Sequence, residues 1–558
     1  MNNSIAIIEE KGQNLADELG FVRIEYLQEV TDQIIDGWVR HIFPKHPEVK
    51  KIIIPVRLGK DDSDYTGLRV GLHIRLTKEL GEKRLIPIIF VSEQTRNEII
   101  GNQISNNNEK TSALLFTPGV KLTGWFDLTE TVEGFNNHIT EEELKRQVLP
   151  KLLITNQREQ GHQLANEWGV FRLAKFAGID LEKKGIKLPT DLYFKYQFSK
   201  TDLNVQPHGN RSIGLQNKGC NALLIDDYAD KGWKEVLEHI LKSHINLYGS
   251  KLDALTTFEA TDTYTDYESK DIVLLDLRLK PEEDRAAETL PLEDLSGLKL
   301  LRKIKEINKG IQVIILTASN KAWNMKALLD AGADGYFIKE SPEIPVSDDA
   351  SKANYESLVD SIKEAFERSY LRDVFKEIKT LHQKLDNLIA SSSYSSDFLN
   401  ELKNHLSIAF DMHYKAKSKE QFAFAFVTLY LVLEAINNQF VSKDSNDNWL
   451  IDNSINLKDW AWDSSSRSYV NSNPVVSGKE PPQWKKMAGL YFQKWAGTNH
   501  QFITTLYQQI QKRNGFVHND KSILDFKDAN GQFVNHDIFM PDGFKKLFDS
   551  IKTILGYL

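Results

Sequence analysis

The stretch Cys220-Asn-Ala-Leu-Leu-Ile-Asp-Asp227 sets the pattern that decides the fold of this chain. It is a short apolar run that ends in carboxylates, and three more apolar runs that end in a polar residue follow before residue 340. Short apolar runs bounded by polar residues are typical of strands buried in a parallel sheet. The predicted strands and the polar residues that follow them are Asn221–Ile225 with Asp226-Asp227, Asp271–Leu275 with Asp276, Ile311–Leu316 with Thr317, and Gly335–Ile338 with Lys339. Because parallel strands present their carboxyl ends at one edge of the sheet, these side chains are expected to converge there.

This set of residues resembles the site of a response-regulator receiver domain, which has a doubly wound, flavodoxin-like α/β fold. The residues that carry the resemblance are Asp226-Asp227, Asp276, Thr317-Ala318 and Lys339. Residues 218–345 are therefore expected to form a receiver domain. The resemblance implies that Asp276 is the phosphoacceptor. It also implies that Asp226, Asp227, Asp276 and the backbone carbonyl of Arg278 bind Mg²⁺, a cation that prefers oxygen ligands.

The resemblance also implies roles for the remaining polar positions. Lys339 would pair with one phosphoryl oxygen, the Thr317 hydroxyl would bind another, and Tyr336 matches the aromatic residue that turns inward on phosphorylation. The implied partner is a histidine kinase or another phosphodonor protein. The alternative is a receiver-shaped domain that is never phosphorylated.

Two features depart from the usual receiver pattern. Glu340 follows the lysine where receivers commonly have proline. The loop from Lys280 to Ser296 is acidic and longer than the usual turn, and we expect it to select the phosphodonor or to cover the site.

Residues 1–150 are predicted to be a degenerate receiver-like α/β domain, because their order of motifs repeats that of the central region. The matched segments are Ile5–Glu10 with Leu223–Asp227, Ile52–Leu58 with Leu274–Leu279, and Thr66–Arg69 with Ser296–Lys299. Pro55 stands opposite Asp276, and proline offers no acceptor oxygen, so this copy would be unphosphorylatable. The predicted elements are strands at Ser4–Ile8, Lys51–Leu58 and Leu85–Val91, a strand that starts at Ala113–Phe116, and a helix at Thr66–Leu80. The alternative is an unrelated α/β domain with the same strand–helix rhythm.

Two connecting regions separate the predicted domains. Residues 151–217 are predicted to be a helical and mixed connector that includes a helix from Asn156 to Phe176. Residues 346–395 are predicted to be a linker with one long helix from Ser351 to Ala390, followed by a serine-rich hinge at 391–396.

Residues 396–558 are predicted to form an all-α bundle. The candidate helices are Phe398–Tyr414, Lys419–Phe440, Gln483–Trp495, Asn499–Asn514 and Pro541 to the end, with an irregular polar segment at Lys443–Pro482. Trp449, Trp460 and Trp462 in that segment are expected to cover the helical core, and stacking on nucleobases is the alternative.

A short motif near the C-terminus suggests what this bundle does. Gln511-Lys-Arg-Asn-Gly-Phe-Val-His518 resembles the R-x4-6-H motif of HEPN-domain ribonucleases. The resemblance implies metal-independent RNA cleavage by 2′-OH attack, at a site formed by a homodimer. His518 would act as the base, Arg513 would stabilise the phosphorane-like charge, and Asn514 would orient the phosphate or the histidine. Residues five apart on a straight helix point about 140° away from each other, so Arg513 and His518 require a bend, which Gly515 permits. The alternatives are two surface residues at a helix end, or a catalytically inactive dimerisation domain.

Composition places bounds on the location and partners of the protein. The formal net charge is -8, which argues against a generally basic nucleic-acid coat. The single cysteine cannot form an intrachain disulfide, Met1–Ile8 does not read as a signal peptide, and the apolar run Phe422–Ala435 is too short to span a bilayer. We therefore expect a cytoplasmic protein without a membrane segment. His73, His239 and His413 have no second ligand at zinc spacing and are expected to be structural or solvated.

Two hypotheses follow for the whole chain. The first is a phosphorylation-controlled endoribonuclease, which by family analogy would suit bacterial stress or anti-phage defence. The second is a non-enzymatic signalling adaptor whose helical domain dimerises or binds a separate effector.

Overall fold

The structure is a computed structural model, and it describes most of the chain. The residues outside the description are 1–3, 11–13, 27–30, 59–64, 106–109, 157–160, 202–218, 286–289, 319–321, 345, 476–478 and 518–536. The chain divides into two compact units. The first consists of Met1–Tyr264, Val273–Leu301 and Val313–Glu364, and the second consists of Thr265–Ile272, Arg302–Gln312 and Ala365–Leu558.

The N-terminal region folds around a five-stranded parallel sheet with the order β2-β1-β3-β4-β5. Its strands are β1 (Ile5–Glu10), β2 (Val22–Tyr26), β3 (Lys51–Pro55), β4 (Ile88–Val91) and β5 (Val120–Thr123). Its helices are α1 (Leu15–Leu19), α2 (Asp32–Ile42), α3 (Thr66–Leu76), α4 (Arg96–Ser105) and α5 (Leu128–Gly134). Two apolar clusters form the core of this domain, as expected for a sheet with helices on both faces.

The prediction of a strand beginning at Ala113–Phe116 is wrong. Residues Thr111–Phe116 form a 3-10 helix, and β5 starts later, at Val120. The Thr117 hydroxyl donates a hydrogen bond to the Leu114 carbonyl at 2.7 Å and closes this helical turn. Gly119 then reverses the chain direction with φ of 71°, a conformation that suits glycine. The helix predicted for Thr66–Leu80 ends earlier, at Leu76, because Thr77 has extended backbone angles.

Helix α6 (Glu141–Glu143) precedes the connector. The described part of the connector contains the α-helices α7 (Gly161–Phe176) and α8 (Leu192–Lys200). Helices α7 and α8 pack against each other through a small apolar cluster in which Trp168, Phe171 and Phe194 are all at most 5% exposed. The described part of the connector is therefore folded.

The central region contains a second five-stranded parallel sheet, with the order β10-β9-β8-β6-β7. Its strands are β6 (Asn221–Ile225), β7 (Lys251–Leu255), β8 (Ile272–Asp276), β9 (Gln312–Thr317) and β10 (Gly335–Ile338). Its helices are α9 (Trp233–His239), α10 (Phe258–Thr263), α11 (Pro281–Arg285), α12 (Ser296–Ile307) and α13 (Ala322–Asp330). The predicted strands all lie in this sheet, and the structure adds the edge strand β7.

The two sheets share a detailed junction between the third strand and the helix that follows it. The Gly67 N–H donates to the Val56 carbonyl at 3.0 Å, and the Gly297 N–H donates to the Leu277 carbonyl at 3.1 Å. A Cβ atom would lie 1.9 Å from the Pro55 carbonyl oxygen at the first glycine, and 2.3 Å from the Asp276 carbonyl oxygen at the second. Only glycine permits so close an approach. Together with the shared strand order, this junction favours the repeat over an unrelated α/β domain.

The C-terminal region is helical, with two small sheets. Its helices are α14 (Asp348–Glu367), α15 (Tyr370–Ala390), α16 (Ser396–Lys415), α17 (Lys419–Phe440), α18 (Gln483–Gly489), α19 (His500–Val517) and α20 (Pro541–Leu555). Its strands are β11 (Val441–Lys443), β12 (Trp449–Ile451), β13 (Ile455–Asn456), β14 (Lys458–Asp463) and β15 (Ser468–Pro474).

Two predictions for this region are wrong. The linker is not one long helix, because α14 ends at Glu367 and α15 begins at Tyr370. Arg368 lies in that break, and its guanidinium donates to the Ala416 carbonyl at 3.0 Å. The segment after α17 is not irregular, since it contains the β11-β12-β13 sheet and the β14-β15 hairpin.

Helix α17 is the central helix of the bundle. Of the described helices, it is the one that is long and apolar enough to cross a membrane by length and composition. However, 56% of its most apolar window is buried inside the protein, as in the core helix of a helical bundle. The whole helix is longer than the apolar run seen in the sequence, and its burial favours a core position.

The second unit also includes the turn between α12 and β9. A Cβ atom at Gly310 in this turn would lie 2.2 Å from the Leu371 carbonyl oxygen of α15. The Asn308 amide donates to the Arg372 carbonyl at 3.0 Å, and Lys309 pairs with Asp411 of α16 at 2.6 Å. Backbone therefore lies directly against backbone at this junction.

Candidate functional site

The carboxyl ends of β6, β8 and β10 bring an ammonium and two carboxylates together. Asp226 follows β6, Asp276 is the last residue of β8, and Lys339 follows β10. The Lys339 ammonium donates to Asp226 Oδ2 at 2.9 Å and to Asp276 Oδ2 at 3.0 Å. All three residues are at most 1% exposed. The convergence follows from the parallel order of the strands, as the sequence predicts.

Burial and charge act in opposite directions on this group. Burial alone would lower the pKa of Lys339, but the charges of Asp226 and Asp276 outweigh it and raise that pKa. Burial raises the pKa of Asp226, and the neighbouring Lys339 opposes this shift. Lys339 therefore remains charged, and removing it would leave buried carboxylates without a counter-ion.

Asp227 adds a third carboxylate to the same place. Oxygen atoms of Asp226, Asp227 and Asp276 all lie within 4.8 Å of one another. One carboxylate oxygen of Asp227 is buried and has no hydrogen-bond partner. Burial, followed by the charges of Asp276 and Asp226, raises the pKa of Asp227 to about 7. A cluster of oxygen ligands with excess negative charge and an unsatisfied buried oxygen fits a divalent cation such as Mg²⁺.

The other predicted site residues lie around this cluster. Thr317 is the last residue of β9 and is 3% exposed, and its carbonyl accepts the Lys339 N–H at 2.7 Å. Tyr336 lies on β10 with 36% of its surface exposed. Arg278 lies in the loop that leaves β8, two residues after the acceptor candidate.

Part of the long acidic loop has a structural role. Glu283 of α11 is 7% exposed and accepts hydrogen bonds from the backbone N–H of Ser296 at 2.9 Å and from its hydroxyl at 2.7 Å. Ser296 is the first residue of α12, so this carboxylate caps the start of that helix. The loop residues 286–289 lie outside the description.

Two residues at this site were not predicted from the sequence. Asn166 of α7 accepts a hydrogen bond from the Lys339 ammonium at 2.6 Å. His162 Nε2, also on α7, lies 3.8 Å from Asp276 Oδ2. The available signal was a pair of polar residues four positions apart, and therefore on one face of the helix. That pattern does not identify the partner, which lies more than a hundred residues away.

The N-terminal domain carries different groups at the corresponding strand ends. Glu9, near the end of β1, is 1% exposed and is paired with Arg23 of β2 at 2.5 Å. Pro55 ends β3, and Gly124 follows β5 where Lys339 follows β10. This domain therefore has neither the acceptor carboxylate nor the ammonium.

The second candidate site lies on α19 in the helical region. The Arg513 guanidinium donates to Glu434 of α17 at 2.9 Å and to the side chain of Asn514 at 3.2 Å. It also lies over the Tyr430 ring, 4.9 Å from the ring centroid. Glu434 was not predicted from the sequence. It fixes the position of the arginine and neutralises part of its charge.

The bend that Arg513 and His518 require, and that Gly515 permits, stays a prediction. Helix α19 continues through Gly515 and ends at Val517. Glycine permits a bend, but the helical hydrogen bonds persist at this position. His518 lies outside the described residues, so its position relative to Arg513 stays a prediction.

Trp460 packs in the core of the helical region, with 6% of its surface exposed. Trp449 packs against that core, whereas Trp462 is 46% exposed. His73 and His413 are fully buried, and the described groups that meet metal-binding geometry do not include either of them. These positions favour structural roles for Trp449, Trp460, His73 and His413.

Comparisons with known protein families match two parts of the chain. Residues 2–123 match the inactive receiver domain family, and residues 223–345 match the response regulator receiver domain family. The chain thus has an inactive receiver domain followed by a receiver domain that retains the acidic cluster and the lysine.

Two response regulators of known function resemble part of the chain. The nitrate/nitrite response regulator protein NarP of Escherichia coli is 39% identical over 75 residues, which are 13% of this chain and 29% of that protein. The chemotaxis protein CheY of Halobacterium salinarum is 28% identical over 126 residues, which are 23% of this chain and 89% of that protein. A response regulator receiver domain structure from Clostridium thermocellum is 25% identical, with a TM-score of 0.20, and the match covers 27% of this chain and 98% of that one. The chain therefore spans less than a third of NarP and most of CheY.

Proposed function

We propose that this protein is a phosphorylation-controlled signalling protein in which Asp276 accepts a phosphoryl group. The observation that carries the proposal is the pairing of Lys339 with Asp276 at 3.0 Å inside a cluster of three carboxylates. In the transfer, an Asp276 carboxylate oxygen forms a bond to phosphorus while the bond between phosphorus and the donor breaks. The leaving group keeps the bonding electrons. A histidine kinase or another phosphodonor protein is the donor.

The other site residues bind the transferred group. The Lys339 ammonium is positioned to balance the added negative charge, and the Thr317 hydroxyl donates to a phosphoryl oxygen. Asp226, Asp227, Asp276 and the Arg278 carbonyl would hold Mg²⁺. When bound, Mg²⁺ supplies positive charge that offsets the repulsion between the carboxylates and the phosphoryl group.

Phosphorylation then acts as a local change of charge. The new phosphoryl oxygens compete with Asp226 for the Lys339 ammonium, which changes the contacts at the end of β10. Tyr336 is exposed on the same strand and turns inward in the phosphorylated state.

Phosphate uptake by the intact protein tests the acceptor. Wild type incubated with acetyl phosphate and MgCl₂ is expected to gain one phosphoryl group by intact-mass measurement, and Asp276→Asn is expected to gain none. Glu9→Gln is the matched control in the inactive receiver and should behave as wild type. An Asp276→Asn protein that still gains the phosphoryl group would refute this assignment.

RNA cleavage is the proposed output of the helical region. The ordered arginine supports it, because Glu434 and the Tyr430 ring fix the guanidinium that would stabilise a phosphorane-like transition state. In this proposal His518 removes the proton of the ribose 2′-OH, Asn514 orients the phosphate or the histidine, and two chains of a homodimer form the site. No metal is required for this chemistry.

The alternative output is a non-enzymatic adaptor in which the helical region dimerises or binds a separate effector. The pairing of Arg513 with Glu434 at 2.9 Å favours it, since this carboxylate neutralises part of the charge that a catalytic arginine would direct at a phosphate.

Cleavage of a labelled mixed-sequence RNA in EDTA separates the two outputs. The rate of RNA cleavage should differ between wild type that was phosphorylated beforehand and wild type that was not. Arg513→Ala and His518→Ala should each lose at least about a hundredfold in rate, while Lys512→Ala on the same helix should not. If all of these proteins are equally inactive, the ribonuclease proposal fails and the adaptor is the function that remains. Light scattering of the same samples reports whether the chain is a dimer.

A further inference from the structure

One face of α7 lies directly over the candidate phosphorylation site. Asn166 accepts from the Lys339 ammonium at 2.6 Å, and His162 Nε2 lies 3.8 Å from Asp276 Oδ2. The packing around these contacts is tight. A Cβ atom built at Gly169 would lie 3.0 Å from the Trp233 ring and 3.5 Å from Lys339 Cβ. The helix backbone therefore packs closely on the Trp233 ring at this position.

The contact removes the acceptor from solvent. Asp276 is 1% exposed, and so is Lys339. Phosphoryl transfer requires the phosphorus of the donor to come within bonding distance of an Asp276 oxygen. With α7 in this position, neither a donor protein nor a small phosphodonor reaches that oxygen.

A second polar contact holds α7 at its other end. Arg172 Nε donates to Glu340 Oε2 at 3.2 Å, and its Nη2 donates to Asp348 Oδ1 at 2.9 Å. Arg172 is 3% exposed and Glu340 is 9% exposed, so this ion pair is buried. Glu340 occupies the position where receivers commonly have proline. In this structure its carboxylate pairs with Arg172 of α7.

The opposite side of α7 is connected to the inactive receiver through α8. Helix α7 packs on α8 through Phe171 and Phe194, whose ring centroids are 6.0 Å apart. On α8, the Lys195 ammonium donates to the Thr77 hydroxyl at 2.6 Å and pairs with Asp36. These apolar and buried contacts belong to the N-terminal domain and the connector. The contacts of α7 with the receiver are polar at Asn166 and Arg172, and apolar where Gly169 packs on the Trp233 ring and Phe176 stacks on Tyr355. Water can replace the polar contacts when the helix lifts.

We propose that α7 is an intramolecular lid on the phosphorylation site, held by Asn166 on Lys339 and by Arg172 on Glu340. The inactive receiver anchors this lid, and phosphorylation of Asp276 requires the lid to open. The proposal rests on the proposed function of Asp276 and names its regulation. Since only the open form reacts, the apparent rate of phosphorylation is the intrinsic rate multiplied by the open fraction.

Weakening the ion pair of the lid tests this proposal without changing the site itself. Full-length wild type, Arg172→Ala and Glu340→Gln are each incubated with acetyl phosphate and MgCl₂, and phosphorylated Asp276 is followed over time by peptide mass spectrometry. Both variants should be phosphorylated about tenfold faster than wild type. Gln163→Ala is the matched control, because Gln163 lies on α7 and pairs with Glu167 of the same helix at 3.0 Å. It should react at the wild-type rate.

The outcomes separate the lid from the acceptor. If wild type, Arg172→Ala and Glu340→Gln are all phosphorylated on Asp276 at the same rate, the lid proposal fails and the acceptor stands. If no protein is phosphorylated on Asp276, the proposed function fails, and the lid proposal fails with it. Glu340→Gln preserves the size of the side chain, so it gives a result even if Arg172→Ala does not fold.

Hydrogen exchange provides an independent readout. Beryllium fluoride with MgCl₂ is added to wild type as a phosphoryl mimic, and the amides of α7 are followed. Exchange of residues 164–172 should become about tenfold faster, in proportion to the open fraction. If beryllium fluoride binds, as judged by protection around Asp276, and α7 keeps its original protection, the lid proposal is refuted.

Discussion

The inactive receiver and the receiver of this chain share a scaffold and differ at the strand ends. Both have the same strand order, and both pack a glycine against the end of the third strand. In the first domain Pro55 ends that strand, and the buried Glu9 is satisfied by Arg23. In the second domain Asp276 ends it, and Lys339 lies between two buried carboxylates. The comparison teaches that the scaffold depends on glycine and apolar packing, whereas the chemistry depends on a few strand-end residues.

The largest effect is expected from removing the buried cation. Lys339→Met leaves Asp226 and Asp276 buried without a counter-ion, so the receiver should lose about 3–5 kcal/mol of unfolding free energy. Phosphorylation should be lost as well. The loss of unfolding free energy is measured by urea unfolding, with hydrogen exchange of the amides in β6, β8 and β10 as the readout.

The matched change in the inactive receiver is Arg23→Gln. Arg23 is about one-third exposed, at 32%, so water can compensate part of the loss and the destabilisation should be much smaller. If the two variants lose equal stability, burial does not explain the difference between the two sites.

A pH dependence of stability is expected in the inactive receiver from its buried histidine. Burial lowers the pKa of His73 to about 4. Its Nε2 lies 2.8 Å from Asp32, and its Nδ1 lies 3.1 Å from the Lys195 ammonium, with Asp36 also nearby. The folded state therefore keeps this histidine neutral, while the unfolded chain binds a proton below pH 6.5. Stability is thus fully present above pH 6.5 and falls as pH decreases toward 4, by roughly 3 kcal/mol.

Hydrogen exchange of α3 from pH 7 to pH 5 measures this dependence, after correction for the intrinsic exchange rate. The matching position on α12 is the exposed Lys303, so the exchange of α12 should lack the pH dependence that His73 causes in α3. His73→Gln should lower stability at neutral pH and flatten the profile. A profile that stays equally steep in the variant would exclude His73 as its source.

A smaller effect is expected from the paired glycines. Gly67→Ala and Gly297→Ala each place a methyl group against a strand carbonyl, and overpacking of this kind costs about 1–3 kcal/mol. Each variant should destabilise its own domain. Only Gly297→Ala should also slow phosphorylation, because it shifts the backbone of Asp276.

Gly101→Ala is the control, since a Cβ atom there would have no neighbour within 4 Å. The readouts are thermal unfolding and phosphate uptake. A Gly67→Ala protein with impaired phosphorylation and an intact α7 would show that the two domains are less separate than the comparison implies.

Restoring the acceptor carboxylate alone is not expected to let the inactive receiver accept a phosphoryl group. Pro55→Asp supplies a carboxylate to the inactive receiver, but Gly124 provides no ammonium and Glu9 remains paired with Arg23. Phosphate uptake by Pro55→Asp in an Asp276→Asn background should therefore stay at zero by intact mass. Uptake at position 55 in this double variant would show that the acceptor residue alone distinguishes the two domains.

Much of the receiver was predictable from sequence because its signals are local. Each buried strand is a short apolar run, and the residue that follows it lies at the sheet edge. The edge strand β7 was missed because Lys251 and Asp253 are exposed and the run is not continuously apolar. The β14-β15 hairpin was missed for a similar reason, since only Trp460 and Tyr469 of its described side chains are buried in the core.

The residues that the sequence did not reveal depend on contacts distant along the chain. Asn166 and Lys339 are 173 positions apart, and neither periodicity nor spacing relates them. The same holds for Arg513 and Glu434, which are 79 positions apart. Local patterns predict which residues reach a strand end or a helix face, but the packing of separate elements decides what they meet there.

The turn at Gly310 has a practical consequence for dissecting this protein. Asn308, Lys309 and Gly310 belong to the central sheet domain by sequence, yet each of them contacts α15 or α16. A fragment that stops at residue 345 would expose this turn and leave Asn308 and Lys309 without these contacts. A fragment extended through residue 415 retains them. The boundary suggested by sequence similarity is therefore not the boundary of an independently stable fragment.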